Sequence, residues 1–213
     1  TVDGDKPEHF EYENFNAASA DFSIHGKNVH PGEAKGIMVN AGRIACEMAT
    51  RLPLLTETPA TTEGREGFYH LTQMSGNVEK AELSYILRDH DKEILDRRIA
   101  VLEDLKDEFN RIYGEDTVEL RISESYANML SVIEEHMELI DLAKEAISSC
   151  GLEPVSRPVR GGTDGARISY MGLPCPNLGT GGYGFHGPYE HVTVEGMEKM
   201  VEIICYIMTH PLY

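Results

Sequence analysis

Between Phe15 and Ser123 the hydrophobic pattern changes period in the order β-α-β-β-α-β, and that order constrains the fold more than any other feature of the chain. Phe15 to His25 alternates from Ala20 onward, with Phe22 and Ile24 on one face, as a half-buried strand requires. From Glu33 to Arg51 the apolar positions Ala34, Ile37, Met38, Ala41, Ile44, Ala45 and Met48 keep helical spacing. Phe68 to Met74 and Ala81 to Arg88 flank Ser75-Gly76-Asn77 as a hairpin. Asp91 is placed to cap a long helix whose stripe of Ile94, Leu95, Ile99, Leu102, Leu105, Phe109 and Ile112 stops at Gly114. Thr117 to Ser123 is a further strand, with Val118, Leu120 and Ile122 on one face. The sequence therefore predicts a complete split βαβ, or ferredoxin-like, unit: one antiparallel sheet with two helices.

Residues 127–213 have a different rhythm. A helix from about His136 to Cys150, stopped by Gly151, leads to a β-branched run from Val155 to Val159. A helix-like stretch, Ala166 to Tyr170, a strand near Pro174 to Leu178 and a last helix from Val194 to Met208 follow. Strands alternating with helices imply a parallel α/β sheet whose loops at the strand C-termini form a site. About two strands are too few for an independent sheet. Thr1-Val2-Asp3-Gly4 reads as the end of a strand running into a turn, so the chain is expected to begin inside a domain. The expected layout is an incomplete α/β domain (1–14 and 127–213) interrupted by a βαββαβ insertion at 15–126.

The formal charge of −17 argues against a nucleic-acid partner, because phosphate backbones need a basic footprint. No apolar run approaches the ~20 residues of a membrane span, and no secretory signal is visible. Cys46, Cys150, Cys175 and Cys205 are far apart and show no CxxC spacing, which speaks against cysteine-held zinc or a disulfide framework. Cys46 and Cys205 fall within apolar helical patterns, where free cysteine acts as a small hydrophobe. A reducing, cytoplasmic compartment is expected.

Two glycine-dense segments carry the chemistry. Gly179-Thr180-Gly181-Gly182-Tyr183-Gly184-Phe185-His186-Gly187-Pro188-Tyr189-Glu190-His191 can bend tightly and approach a ligand closely. Its His186 reads either as an imidazole aimed at a metal ion or as one of two histidines in a flexible surface loop. Upstream, Arg160-Gly161-Gly162-Thr163-Asp164-Gly165 joins a strand to a helix, a geometry that offers main-chain N–H groups and the Arg160 fork to an anion. It lacks the Lys-Ser/Thr of a Walker A loop, and a plain structural turn accounts for it equally well.

Many short segments, in order, resemble the peptidase T family of aminotripeptidases, which are co-catalytic zinc peptidases. They include Thr1-Val2-Asp3-Gly4, Glu13-Asn14-Phe15-Asn16-Ala17-Ala18, Asn28-Val29-His30-Pro31-Gly32, Thr61-Thr62-Glu63-Gly64 and Gly67-Phe68-Tyr69-His70-Leu71. Arg160 to Gly165, Met171-Gly172-Leu173-Pro174-Cys175-Pro176-Asn177-Leu178 and His186-Gly187 complete the set, so the resemblance covers the whole chain. It implies a catalytic domain with two zinc ions and a smaller lid inserted in it. It places one zinc ligand on Asp3 and another on His186, and an oxyanion donor on His30. Arg88 and Arg160 become the cations that hold the peptide's carboxylate or carbonyl, although Arg88 beside Asp89 and Asp91 also reads as a surface ion pair. His70, His90, His136 and His191 are taken as structural or exposed.

What the resemblance does not supply is as informative. The family's upstream histidine, bridging aspartate and adjacent glutamates have no counterpart here, so these 213 residues are expected to be inactive alone. The implied activity of the intact enzyme is removal of the N-terminal residue from tripeptides, with a homodimer formed through the lid. A relative that removes C-terminal residues or cleaves acyl groups shares the fold. From another class, the chain is an interaction module that pairs two copies through 15–123.

Overall fold

Short strands and amphipathic helices follow one another along the whole chain in the computed structural model, which describes residues 1–53, 55–210 and 212. The order is β1 (His9–Glu11), β2 (Asn16–His25), a 3-10 turn (Pro31–Glu33), α1 (Ala41–Ala49), β3 (Phe68–Gly76), β4 (Lys80–Asp89), α2 (Lys92–Tyr113) and β5 (Val118–Tyr126). Then come α3 (Leu130–Ile133), α4 (Met137–Ser149), β6 (Val155–Ser156), α5 (Asp164–Tyr170), β7 (Asn177–Leu178), β8 (Gly182–Tyr183), β9 (His191–Val192) and α6 (Val194–Thr209). The chain divides into two compact units: Thr1–Phe15 with Ala127–Tyr213, and Asn16–Tyr126.

In the unit Asn16–Tyr126 the four strands run β3-β4-β2-β5, every neighbour antiparallel. With α1 and α2 this is the ferredoxin-like arrangement that the sequence predicts. Phe22 and Ile24 of β2, Leu83, Tyr85 and Leu87 of β4, Ile44 and Met48 of α1, and Leu95, Leu102 and Phe109 of α2 share one core. Each of the Leu, Ile, Met and Phe side chains contributes roughly 1.5–3 kcal/mol on burial. Helix α2 begins where Asp91 accepts the N–H groups of Glu93 and Ile94 at 2.7 and 3.2 Å, and it stops at Gly114, whose φ is 114°.

The first helix is shorter than its hydrophobic pattern predicts. Gly36 takes a φ of 72°, and Val39 pairs with Lys27 in an isolated antiparallel bridge. The Asn40 side chain then accepts the Arg43 N–H at 3.0 Å, so Ala41 is the first helical residue. A left-handed glycine and a backbone bridge override the spacing of Ala34, Ile37 and Met38. Cys46 and Cys205 are exposed rather than packed as small hydrophobes: Ile44, Ala45 and Met48 occupy the core side of α1, and Met200 and Ile203 that of α6. None of the four cysteines is bridged.

In the unit Thr1–Phe15 with Ala127–Tyr213, a three-stranded sheet runs β6-β1-β7. It is mixed, not parallel as expected: β1 pairs parallel with β6 and antiparallel with β7. Its central strand, β1, is absent from the sequence-based prediction. Phe10, Met129, Ile133, Ile140, Ile147, Met200 and Ile203 form this unit's core. Helix α6 also carries Val194, Met197, Val201 and Met208 exposed to solvent. No helix among the described residues is long and apolar enough to cross a membrane.

Candidate functional site

Asp3 sits where the first residues cross the end of β7. The N–H groups of Asp3 and Gly4 both donate to the Leu178 carbonyl, at 3.1 and 2.9 Å, and Val2 bridges Leu178 in parallel. Gly4 has no room for a side chain, because a Cβ there would lie 2.9 Å from that same carbonyl. The main chain is thereby held and the Asp3 residue is left exposed.

Behind it lies a polar network that the sequence reading missed. Glu11, at the end of the central strand, is buried and accepts the Asn177 amide at 3.1 Å, while Asn177 in turn accepts the Thr1 hydroxyl. Burial pushes the Glu11 carboxyl up, the Asn177 hydrogen bond pulls it down, and the charges of Asp3 and Asp5 add to the rise. His9 is also buried. Burial lowers its pKa, Arg157 lowers it further, and Asp5 pulls the other way from 3.5 Å, too far for a hydrogen bond. A polar pair flanking Phe10 in so short a strand was the one available signal, and it is easily read as a surface turn.

His186 stands on a hairpin. Strands β8 and β9 pair antiparallel, Gly182 with Val192 and Tyr183 with His191, and the rings of Tyr183 and His191 stack at 5.4 Å. Between them Gly187 donates to the Gly184 carbonyl at 3.1 Å, which makes His186 the third residue of a tight turn. Its φ of 60° is left-handed, a conformation that costs a residue with a Cβ about 1–3 kcal/mol. Its main-chain N–H donates to Glu190 Oε2 at 3.1 Å. The base of the loop is packed too tightly for side chains. A Cβ on Gly179 would lie 1.9 Å from the Lys6 carbonyl, and one on Gly181 would lie 2.9 Å from the Gly196 backbone at the start of α6.

The segment from Arg160 to Gly165 is braced internally. Thr163 Oγ1 accepts the Ala166 N–H at 3.1 Å and caps α5. Arg160 lies over the Phe15 ring, 5.1 Å from its centroid, and the Gly161 carbonyl accepts the Phe15 N–H. In the other unit, His30 precedes the 3-10 turn, and its Nδ1 accepts the Gly32 N–H at 3.1 Å. A neutral His30 therefore carries its proton on Nε2. Arg88, at the end of β4, donates to the carbonyls of Leu87 and Ala18 at 2.8 and 3.2 Å and lies over the Tyr126 ring. Its neighbour Asp89 pairs with Arg98 instead.

Asp3 and His186 thus belong to one unit, and His30 and Arg88 to the other. A carboxylate and an imidazole, both on exposed residues, are donor types that suit zinc. Among the described residues, however, no three His, Cys, Asp or Glu side chains gather to hold a metal ion by themselves.

Residues 12–117 match the family described as the peptidase dimerisation domain. The Peptidase T of Caldanaerobacter subterraneus subsp. tengcongensis is 51% identical over 208 residues, 98% of this chain and 51% of that protein. The chain spans about half the length of the curated relatives it matches. The fold is similar to that of a tripeptidase from Staphylococcus aureus, with a TM-score of 0.82 and 19% identity over 96% of this chain and 54% of that one. It is also similar to a dinuclear metal binding peptidase of the M20 family from Bacillus subtilis, with a TM-score of 0.62 and 16% identity over 97% of this chain and 55% of that one.

Proposed function

We propose that this chain serves a metal-dependent aminopeptidase of the peptidase T family, which removes the N-terminal residue from tripeptides. The observation that carries this reading is identity of about half of all residues, sustained across nearly the whole chain, with proteins of that name. In this proposal Asp3 and His186 each give one ligand to a pair of zinc ions. Bound zinc polarises a carbonyl and makes water a nucleophile at neutral pH.

This chain's own residues do the rest of what it can contribute. The Leu178 carbonyl, taking both the Asp3 and Gly4 N–H groups, holds the carboxylate's backbone in place. His30, with Nδ1 engaged by Gly32, keeps Nε2–H as a donor for the developing oxyanion. Arg88 and Arg160 hold the peptide's carboxylate or carbonyl. Residues 16–126 pair two copies, a role supported by the match to a dimerisation domain. Four unbridged cysteines fit a cytoplasmic setting.

The test is tripeptide hydrolysis and metal content, measured on the 213 residues and on the full-length protein side by side. We expect activity, its loss to a chelator and its return with Zn²⁺ only in the full-length protein. We also expect His30→Ala to lower kcat by about 10²–10³. Hydrolysis by the 213 residues alone would show their ligand set to be sufficient and overturn this assignment.

A further inference from the structure

We propose that Glu190 is a positioning residue for His186, clamping the turn that aims its imidazole. The proposal rests on the ligand role given to His186 above. The turn closes through Gly187 N–H and the Gly184 carbonyl, which leaves the N–H of His186 without a main-chain acceptor in the turn. Glu190 Oε2 takes that N–H at 3.1 Å across four residues. The Glu190 backbone is held in turn, donating its own N–H to the Gly187 carbonyl at 3.2 Å.

The clamp answers a specific need. His186 holds a φ of 60°, the region that glycine takes freely and histidine does not. The loop is otherwise rich in glycine, yet a glycine at this position would remove the imidazole. A carboxylate on the N–H of the left-handed residue makes that conformation the favoured one while leaving both ring nitrogens untouched. The two legs of the hairpin are also held, by the stacked rings of Tyr183 and His191 and by the contact of His191 Nδ1 with the Tyr189 carbonyl at 2.8 Å. The tip alone depends on Glu190.

The experiment is competitive titration of Zn²⁺ into the metal-free full-length protein, comparing Glu190→Ala, Glu190→Gln, Glu190→Asp and His186→Ala with wild type. Groups that orient a metal ligand typically change affinity about 10–100-fold. We expect Glu190→Ala to weaken one of two Zn²⁺ ions by at least about 10-fold, and Glu190→Gln, whose amide oxygen still accepts the N–H, to bind close to wild type. Glu190→Asp, one methylene shorter, should fall between them, and it carries the test if the alanine variant does not fold. Equal loss in the Gln and Ala variants would make Glu190 a ligand or a charge rather than a clamp. Wild-type affinity in Glu190→Ala alongside loss in His186→Ala would overturn the clamp alone. Wild-type affinity in His186→Ala would overturn the ligand reading, and the clamp's purpose with it.

Discussion

Arg98 and Asp89 form an ion pair inside the unit Asn16–Tyr126, with Nε 3.1 Å from Oδ2 and side-chain exposures of only 11% and 4%. Asp89 also accepts the Asp91 N–H at 3.1 Å through its other oxygen, and Arg98 lies over the Tyr69 ring at 4.9 Å while reaching Glu57. One pair thereby joins the end of β4, the start of α2 and the loop before β3. Removing one partner of a buried pair strands the other charge. Arg98→Met should destabilise this unit by about 3–5 kcal/mol, read from urea unfolding. A loss below about 1 kcal/mol, the range of exposed pairs, would refute the role.

Tyr85 predicts the opposite sign. Its ring meets Phe22 edge-on at 6.2 Å inside the core, yet its hydroxyl finds no partner among the described residues. Burial pushes the phenol up to about 12. A stranded hydroxyl costs about 1–3 kcal/mol, so Tyr85→Phe should stabilise the unit by about 1 kcal/mol and raise its melting temperature. A fall in melting temperature would mean that the hydroxyl is satisfied.

His9 should make the unit Thr1–Phe15 with Ala127–Tyr213 sensitive to acid. Its pKa lies below the ordinary value of 6.5 in the folded protein, chiefly through burial. The unfolded state therefore takes up the proton first. The stability this provides is complete above the ordinary value and is lost as pH falls below it toward the folded value. His9→Gln should flatten the pH dependence of the urea midpoint in that window. An unchanged slope would assign the acid sensitivity to other groups.

Gly179 should tolerate no side chain. A Cβ would stand 1.9 Å from the Lys6 carbonyl, so the backbone beneath the His186 hairpin would have to move. Gly179→Ala should destabilise this unit by about 1–3 kcal/mol, whereas Gly161→Ala, with open space around its Cβ, should be nearly silent. Equal thermal shifts in the two variants would refute the distinction.

Local chemistry made the long elements legible. The Asp91 cap, the apolar stripe through Leu95, Leu102 and Phe109, and the stop at Gly114 are all encoded within a few residues of where they act. The same holds for the alternation of β2 and β4. Elements of two or three residues left weaker traces: the run from Val155 to Val159 contains β6 and the strand expected near Pro174 to Leu178 contains β7, each longer in expectation than in the fold. β1, β8 and β9 are too short to show a period, and two of the three residues of β1, His9 and Glu11, are polar groups buried by segments distant in sequence.

What could be read before folding is the long helices and strands and the residues chemically able to act. Those properties follow from spacing and side-chain type, which are local. Only folded contacts start α1 at Ala41, put β1 at the centre of a mixed sheet and turn His186 left-handed under Glu190. Each of these depends on a hydrogen bond or a close approach that spacing does not reveal. Lys27 with Val39, Glu11 with Asn177 and Gly179 with Lys6 are brought together only when the chain folds.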